Sequence, residues 1–172
     1  MTGKSNSLAK NYRTTTQIAE AAYSLIEKDQ NIVEDDNFVK PSLIDRQGFY
    51  PMLKIYNNFN RESENVLNLL NNKLLHSYDY RDIAIIARTK NQLIEYRDIL
   101  TKANIPCKYF DTKETMDFQD NSLKLLTMHS IKGLEFKVVF LVGLNEKVLP
   151  NKYTLSGGAD DDFYISMERK LL

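Results

Sequence analysis

The run Asp82-Ile83-Ala84-Ile85-Ile86-Ala87 constrains this chain more than any other stretch. A strand with one wet face alternates apolar and polar residues. One that is apolar at every position needs cover on both faces, as in a parallel sheet clothed by helices. Just beyond it, Thr89-Lys90-Asn91-Gln92 carries capping-box spacing and predicts a helix to about Lys102, with Leu93, Tyr96, Ile99 and Leu100 turned inward. Cys107 to Phe110, Leu123 to Met128 and Lys137 to Val142 read as three further strands. Strand, helix and strand in short succession imply crossover units. The expected fold is a three-layer α/β domain with a mainly parallel sheet.

Ahead of that run the signals are mixed. Ile18, Ala22, Leu25 and Ile26 fall at helical spacing and predict a helix from about Thr15 to Lys28, with Thr14 as its cap and Gln17 reaching back. The polar, acidic stretch from Asp29 to Asp36 reads as a solvated loop. Alternating bulky residues from Phe49 to Tyr56 read as a strand, Pro51 suiting its start or an edge. Val66, Leu67, Leu70, Leu74 and Leu75 form a helical stripe between about Glu62 and Leu75. With no repeat and no internal linker, one domain is expected over residues 11–172, after a flexible or appended end at residues 1–10. A chain of 172 residues buries about two thirds of its unfolded surface and needs neither disulfides nor a structural metal.

Composition removes several function classes. One cysteine, Cys107, forms no internal bridge, and with only His76 and His129 beside it there is no zinc-spaced cluster, so no metal site is expected. The longest apolar runs, Ile83 to Ala87 and Val138 to Val142, fall far short of the roughly 20 residues of a membrane helix. The expected location is cytoplasmic. Lys and Arg number 23 against 23 Asp and Glu, so any site for a polyanion is local rather than spread over the surface.

Gly3-Lys4-Ser5 resembles the end of a phosphate loop, but only two residues precede it, leaving no strand and no earlier glycine. Asn11-Tyr12-Arg13-Thr14-Thr15 sets an aromatic ring and a guanidinium just before a helix. Tyr12 either covers a sheet end or stacks on a base, and Arg13 either pairs with an acid or grips phosphate. The densest polar stretch is Thr127-Met128-His129-Ser130-Ile131-Lys132-Gly133-Leu134-Glu135-Phe136. Leaving a strand, it exposes hydroxyl, imidazole and ammonium groups at the carboxyl edge of the sheet, where open α/β folds bind ligands. Between Lys124 and Lys152 five lysines (124, 132, 137, 147, 152) face two glutamates, Glu135 and Glu146, a local excess of three charges that suits phosphate. Singly, each residue has an ordinary structural reading: His129 as a helix cap, Gly133 as a tight turn, the lysines as solvated surface. Arg88 ends the central strand and either caps, solubilises or binds. Asp160-Asp161-Asp162 marks a loop and a helix start rather than a metal site.

Together, Asn11-Tyr12-Arg13-Thr14-Thr15 with Ile18-Ala19, the strand Ile83 to Arg88, and the Thr127 to Phe136 block with Pro150 closing the next loop resemble the second RecA-like domain of UvrD/Rep-type superfamily-1 DNA helicases. The resemblance covers nearly the whole chain. It implies an ATP site shared with an N-terminal RecA-like domain of the same parent, which supplies the phosphate loop and most of the Mg2+ ligands. Tyr12 would stack on adenine, Arg13 would be catalytic at the γ-phosphate, and Glu135 would contact the ribose or help link ATP to DNA. Arg88, Thr127, His129 and Lys132 would hold single-stranded DNA. About 118 residues separate Arg13 from the Ser130-Ile131-Lys132 block, leaving no room for the large insertion of Rep and UvrD. That layout, with Asp45-Arg46-Gln47-Gly48, resembles helicase IV and HelD-like members, and so raises RNA polymerase remodelling, or an inactive adaptor, as alternatives. Lys90 stands where relatives often carry Asn. Ser166 to Leu172 resembles the helix that runs into the family's last motif, so the expectation is a domain of a larger ATPase that is inactive alone.

Overall fold

The computed structural model describes residues 14–34, 46–72, 77–110, 116–146, 148–150 and 161–169. They fall into two compact units, one drawn from residues 14–34, 46–54 and 161–169, the other from the described residues between 55 and 150.

The larger unit is built on a four-stranded sheet of β1 (Ile83–Ala87), β2 (Cys107–Phe110), β3 (Leu123–Thr127) and β4 (Val138–Leu141). Its order is β2-β3-β1-β4 and every pairing is parallel. All five residues of β1 are buried, because the strand is interior to the sheet and both its faces are covered. On one face, Ile83, Ile85 and Ala87 meet helix α3 (Phe59–Leu70) through Val66 and Leu70, and helix α4 (Lys90–Lys102) through Leu93, Tyr96 and Leu100. Phe59 stacks edge-on against Tyr96 with ring centroids 5.3 Å apart, joining the two helices. Full burial of a large apolar side chain here contributes roughly 1.5–3 kcal/mol.

The opposite face carries Ala84, Ile86, Phe110, Leu126 and Met128. Among the described residues its cover is irregular chain rather than helix: Met116, Ile131, Leu134, Phe136 and Leu149 pack there half-buried. The connection from β3 to β4 must cross over β1, and its apolar residues close this face as it passes.

Local signals in this unit match the sequence closely. Thr89 Oγ1 accepts from Gln92 N at 3.4 Å while Gln92 Oε1 accepts from Thr89 N at 3.0 Å, the reciprocal capping box expected for α4. α3 starts three residues before the expected Glu62, since Asn58 Oδ1 accepts from Arg61 N at 3.0 Å and caps it. The helix also ends earlier than the expected Leu75, at Leu70 with Asn71 as its C-cap; residues 73–75 lie outside the described residues.

Four expectations fail, because tertiary partners, present or missing, decided against a local pattern. Phe49 to Tyr56 is not a strand. Phe49, Leu53 and Ile55 are 92%, 82% and 88% exposed, and bulky alternation without a partner strand supplies no ladder to join. The first helix, α1 (Thr16–Ile26), begins after Thr15 rather than Thr14, and has no side-chain cap. Gln17 is buried and accepts from Gly48 N at 2.8 Å instead of reaching back, while the expected stripe residues Ile18 and Leu25 are exposed. The expected loop from Asp29 contains the short helix α2 (Gln30–Val33), with Ile32 and Asp29 buried. Asp29 is held by helix α5 (Asp161–Arg169): its carboxylate accepts from Ser166 Oγ at 2.8 Å and from Arg169 Nη1 at 2.6 Å. The fourth failure, the basic patch, concerns the site itself.

Candidate nucleic-acid and nucleotide site

In a parallel sheet all strands end on one side. Two exits meet there: Arg88 after β1, and Met128 to Gly133 after β3. Met128 N donates to Ala87 O at 3.0 Å, carrying the β1–β3 ladder one step past the strands and holding the two exits side by side. The Arg88 guanidinium reaches His129 Nδ1 at 3.5 Å. A guanidinium only donates, so in this contact Nδ1 is the acceptor. Thr127 and Ser130 hydroxyls share a hydrogen bond of 2.8 Å, and Ser130 N donates to Thr127 O at 2.9 Å, closing a turn under His129.

Solvent sorts the next residues. Met128 is buried and Ile131, Leu134 and Phe136 half-buried against the sheet, while His129, Lys132 and Glu135 are exposed. Gly133 has φ +86, a left-handed turn an L side chain rarely adopts; its missing Cβ would meet open space, so conformation rather than room asks for glycine. Glycine here fits the structural reading of a tight turn. His129 caps no helix among the described residues.

The expected lysine patch does not form as a unit. Lys124 lies at the amino end of β3, three residues from Thr127, a separation of about 10 Å along the strand. It is fully buried, donating to Asp120 O at 2.8 Å and to Ser122 Oγ at 3.1 Å. Burial pulls its pKa down, against the opposing pull of Asp120. Lys137 pairs with Asp82 at 2.8 Å, ahead of β1 and so also at the amino side. Lys147 and Lys152 lie outside the described residues, which leaves Lys132 as the described lysine of the five on the carboxyl edge.

Two neighbours of that edge gain roles from the structure: Lys90, noted in the sequence only as a departure from relatives, and Gly143, which the sequence reading passed over. Lys90, at the first turn of α4, sits over the Tyr109 ring at 4.9 Å. Gly143, just beyond β4, is gripped from both sides: its N–H donates to Glu62 Oε1 and its carbonyl accepts from Gln92 Nε2, each at 2.8 Å. The capping-box glutamine was the available signal, though its second bond was not visible in the spacing.

Tyr12 and Arg13 lie outside the described residues. Of the three expected nucleotide contacts, Glu135 alone is described, exposed on the β3–β4 connection. Among the described residues no group of three or more His, Cys, Asp or Glu is placed to hold a metal ion. Nor is any of their helices long and apolar enough to cross a membrane.

Comparison with known proteins adds the following. The UvrD-like helicase C-terminal domain family matches residues 6–118 and 111–171. The ATP-dependent DNA helicase PcrA of Staphylococcus epidermidis is 26% identical over 161 residues, covering 90% of this chain and 20% of that protein. PcrA of Staphylococcus aureus is 38% identical over 52 residues, 30% of this chain and 7% of that one. The ATP-dependent DNA helicase Rep of Buchnera aphidicola is 58% identical over 31 residues, 18% of this chain and 5% of that one. In the Staphylococcus epidermidis PcrA alignment, this chain spans about a fifth of the relative's length.

Proposed function

This chain belongs to the UvrD-like helicase C-terminal domain family, and from that premise we propose that it is the DNA-gripping, ATP-site-completing part of an ATP-dependent DNA helicase or translocase. The observation that carries the reading is the convergence of Arg88 and His129, 3.5 Å apart on adjacent strand exits, beside Thr127 and the exposed Lys132. Guanidinium, imidazole N–H, hydroxyl and ammonium all donate, and a row of donors on one sheet edge suits the phosphates of a single strand.

Tyr12, Arg13 and Glu135 are our assignment for ATP: a ring for the adenine, a guanidinium for charge developing at the γ-phosphate, and a carboxylate for the ribose. Bound ATP would supply the free energy of phosphoryl transfer, while these side chains orient it and stabilise charge. Most of the Mg2+ ligands would come from the companion N-terminal RecA-like domain. On this reading the chain alone does not turn over ATP. Appreciable turnover by the pure chain, abolished by Arg13→Ala, would refute it.

The grip is tested by fluorescence anisotropy with a labelled oligo-dT at low salt. His129→Ala is expected to remove the measurable complex. Arg88→Ala should flatten the dependence of log K on log salt by about 0.7, the loss of one phosphate contact on a single strand. Unchanged binding in both variants moves the DNA site elsewhere. In the parent protein, ATPase stimulation by single-stranded DNA supports a DNA motor, whereas stable co-purification with RNA polymerase and no such stimulation supports the polymerase-remodelling role.

A further inference from the structure

Gln92 serves two structures at once. Its Oε1 accepts from Thr89 N and from Thr89 Oγ1, both at 3.0 Å, which completes the capping box one residue after Arg88. Its Nε2 donates to Gly143 O at 2.8 Å, 51 residues away in sequence. One amide thus joins the exit of β1 to the exit of β4. On the other side, the Gly143 amide donates to Glu62 of α3, also at 2.8 Å. The Gly143 N–H is thus held by a side chain, its carbonyl is shared between Gln92 Nε2 and the backbone N–H of Asn145 at 2.9 Å, and the residue is buried at φ +65.

Gly143 has no freedom to drift in this arrangement. The glutamine amide fills the place of the missing side chain, since a Cβ there would lie 2.2 Å from Gln92 Nε2. A cap alone would need only an acceptor at position 92, which glutamate supplies equally well. The donor half of the amide is what the cap does not require.

We propose that Gln92 is a positioning residue that locks the chain leaving β4 to the Arg88 edge, so that a strand of nucleic acid held at Arg88 and His129 is felt at Gly143 and the loop after it. This rests on the DNA reading of that edge. The coupling is short and rigid: Arg88 is adjacent to Thr89, whose backbone N–H is bonded to Gln92, whose other end holds Gly143.

The test is 1H–15N NMR of the whole 172-residue chain titrated to saturation with unlabelled oligo-dT. Amide shifts at Arg88 and His129 report contact, and those at Gly143 and Leu144 report transmission. In the wild type both groups are expected to move. Gln92→Glu keeps the acceptor for Thr89 but has no donor for Gly143 O; Arg88 and His129 should still move, while the Gly143 and Leu144 shifts fall at least threefold. Glu62→Ala, which frees Gly143 from the α3 side and leaves the capping box intact, should give the same loss. Undiminished transmission in both variants, or no movement at Gly143 in the wild type while Arg88 and His129 respond, overturns the lock. No response at Arg88 and His129 overturns the DNA reading and the lock with it.

Discussion

Gly143→Ala separates two costs that the structure combines at one residue. At φ +65 an alanine bears the left-handed penalty of about 1–2 kcal/mol. Its Cβ would also come within 2.2 Å of Gln92 Nε2 and 3.1 Å of Cδ. The amide end of a glutamine can swing aside, so the clash is relieved at the cost of its 2.8 Å bond to Gly143 O, worth about 1 kcal/mol net. The sum is about 2–3 kcal/mol, read as a lowered midpoint in urea unfolding followed by circular dichroism. The double-mutant cycle is more telling. In a Gln92→Ala background the clash and the bond are already gone, so Gly143→Ala should cost only the conformational part, and the two changes should fall short of additivity by about 1 kcal/mol. A loss below about 0.5 kcal/mol for the single variant would refute the obligatory left-handed turn. Additivity within about 0.5 kcal/mol would refute the steric account of Gln92.

Other perturbations follow the same logic. Thr89→Ala removes the acceptor for Gln92 N at the start of α4 and should cost about 1 kcal/mol in the same urea assay. Burial alone would raise the pKa of Asp29, but hydrogen bonds from Ser166 and Arg169 and the Arg169 charge hold it below the ordinary carboxylate value. Its contribution to stability is therefore present above the unfolded pKa and lost as pH falls through the folded one. Arg169→Met should raise the folded pKa, start that loss at higher pH in an acid titration followed by circular dichroism, and cost about 2 kcal/mol at neutral pH. An unchanged acid midpoint would show that the pair does not hold α5 in place.

Which features the sequence carried by itself, and which it did not, follows from how local their causes are. β1 was legible because five contiguous buried positions admit no alternating reading. The α4 cap was legible because both partners lie within four residues. The position of the Thr127 to Phe136 block at a strand exit was legible because the groups that leave a strand end are set by the strand's own direction. Placement across the fold was not legible. Lys124 counted as a phosphate-facing charge until the strand's direction and Asp120 put it, buried, at the far end of the sheet. Asp29 looked like loop, yet its partners lie 137 and 140 residues away. Phe49 to Tyr56 had strand composition, but pairing is a property of two segments and no partner strand meets it among the described residues. The joint at Gly143 shows the division most plainly: the spacing from Thr89 to Gln92 determined the cap, whereas only the packing of α3, α4 and β4 decided that the glutamine's remaining donor would meet a carbonyl 51 residues on. Short-range geometry follows from the chain's own dihedrals. The free hydrogen-bonding capacity of a side chain is assigned by whatever the fold brings beside it.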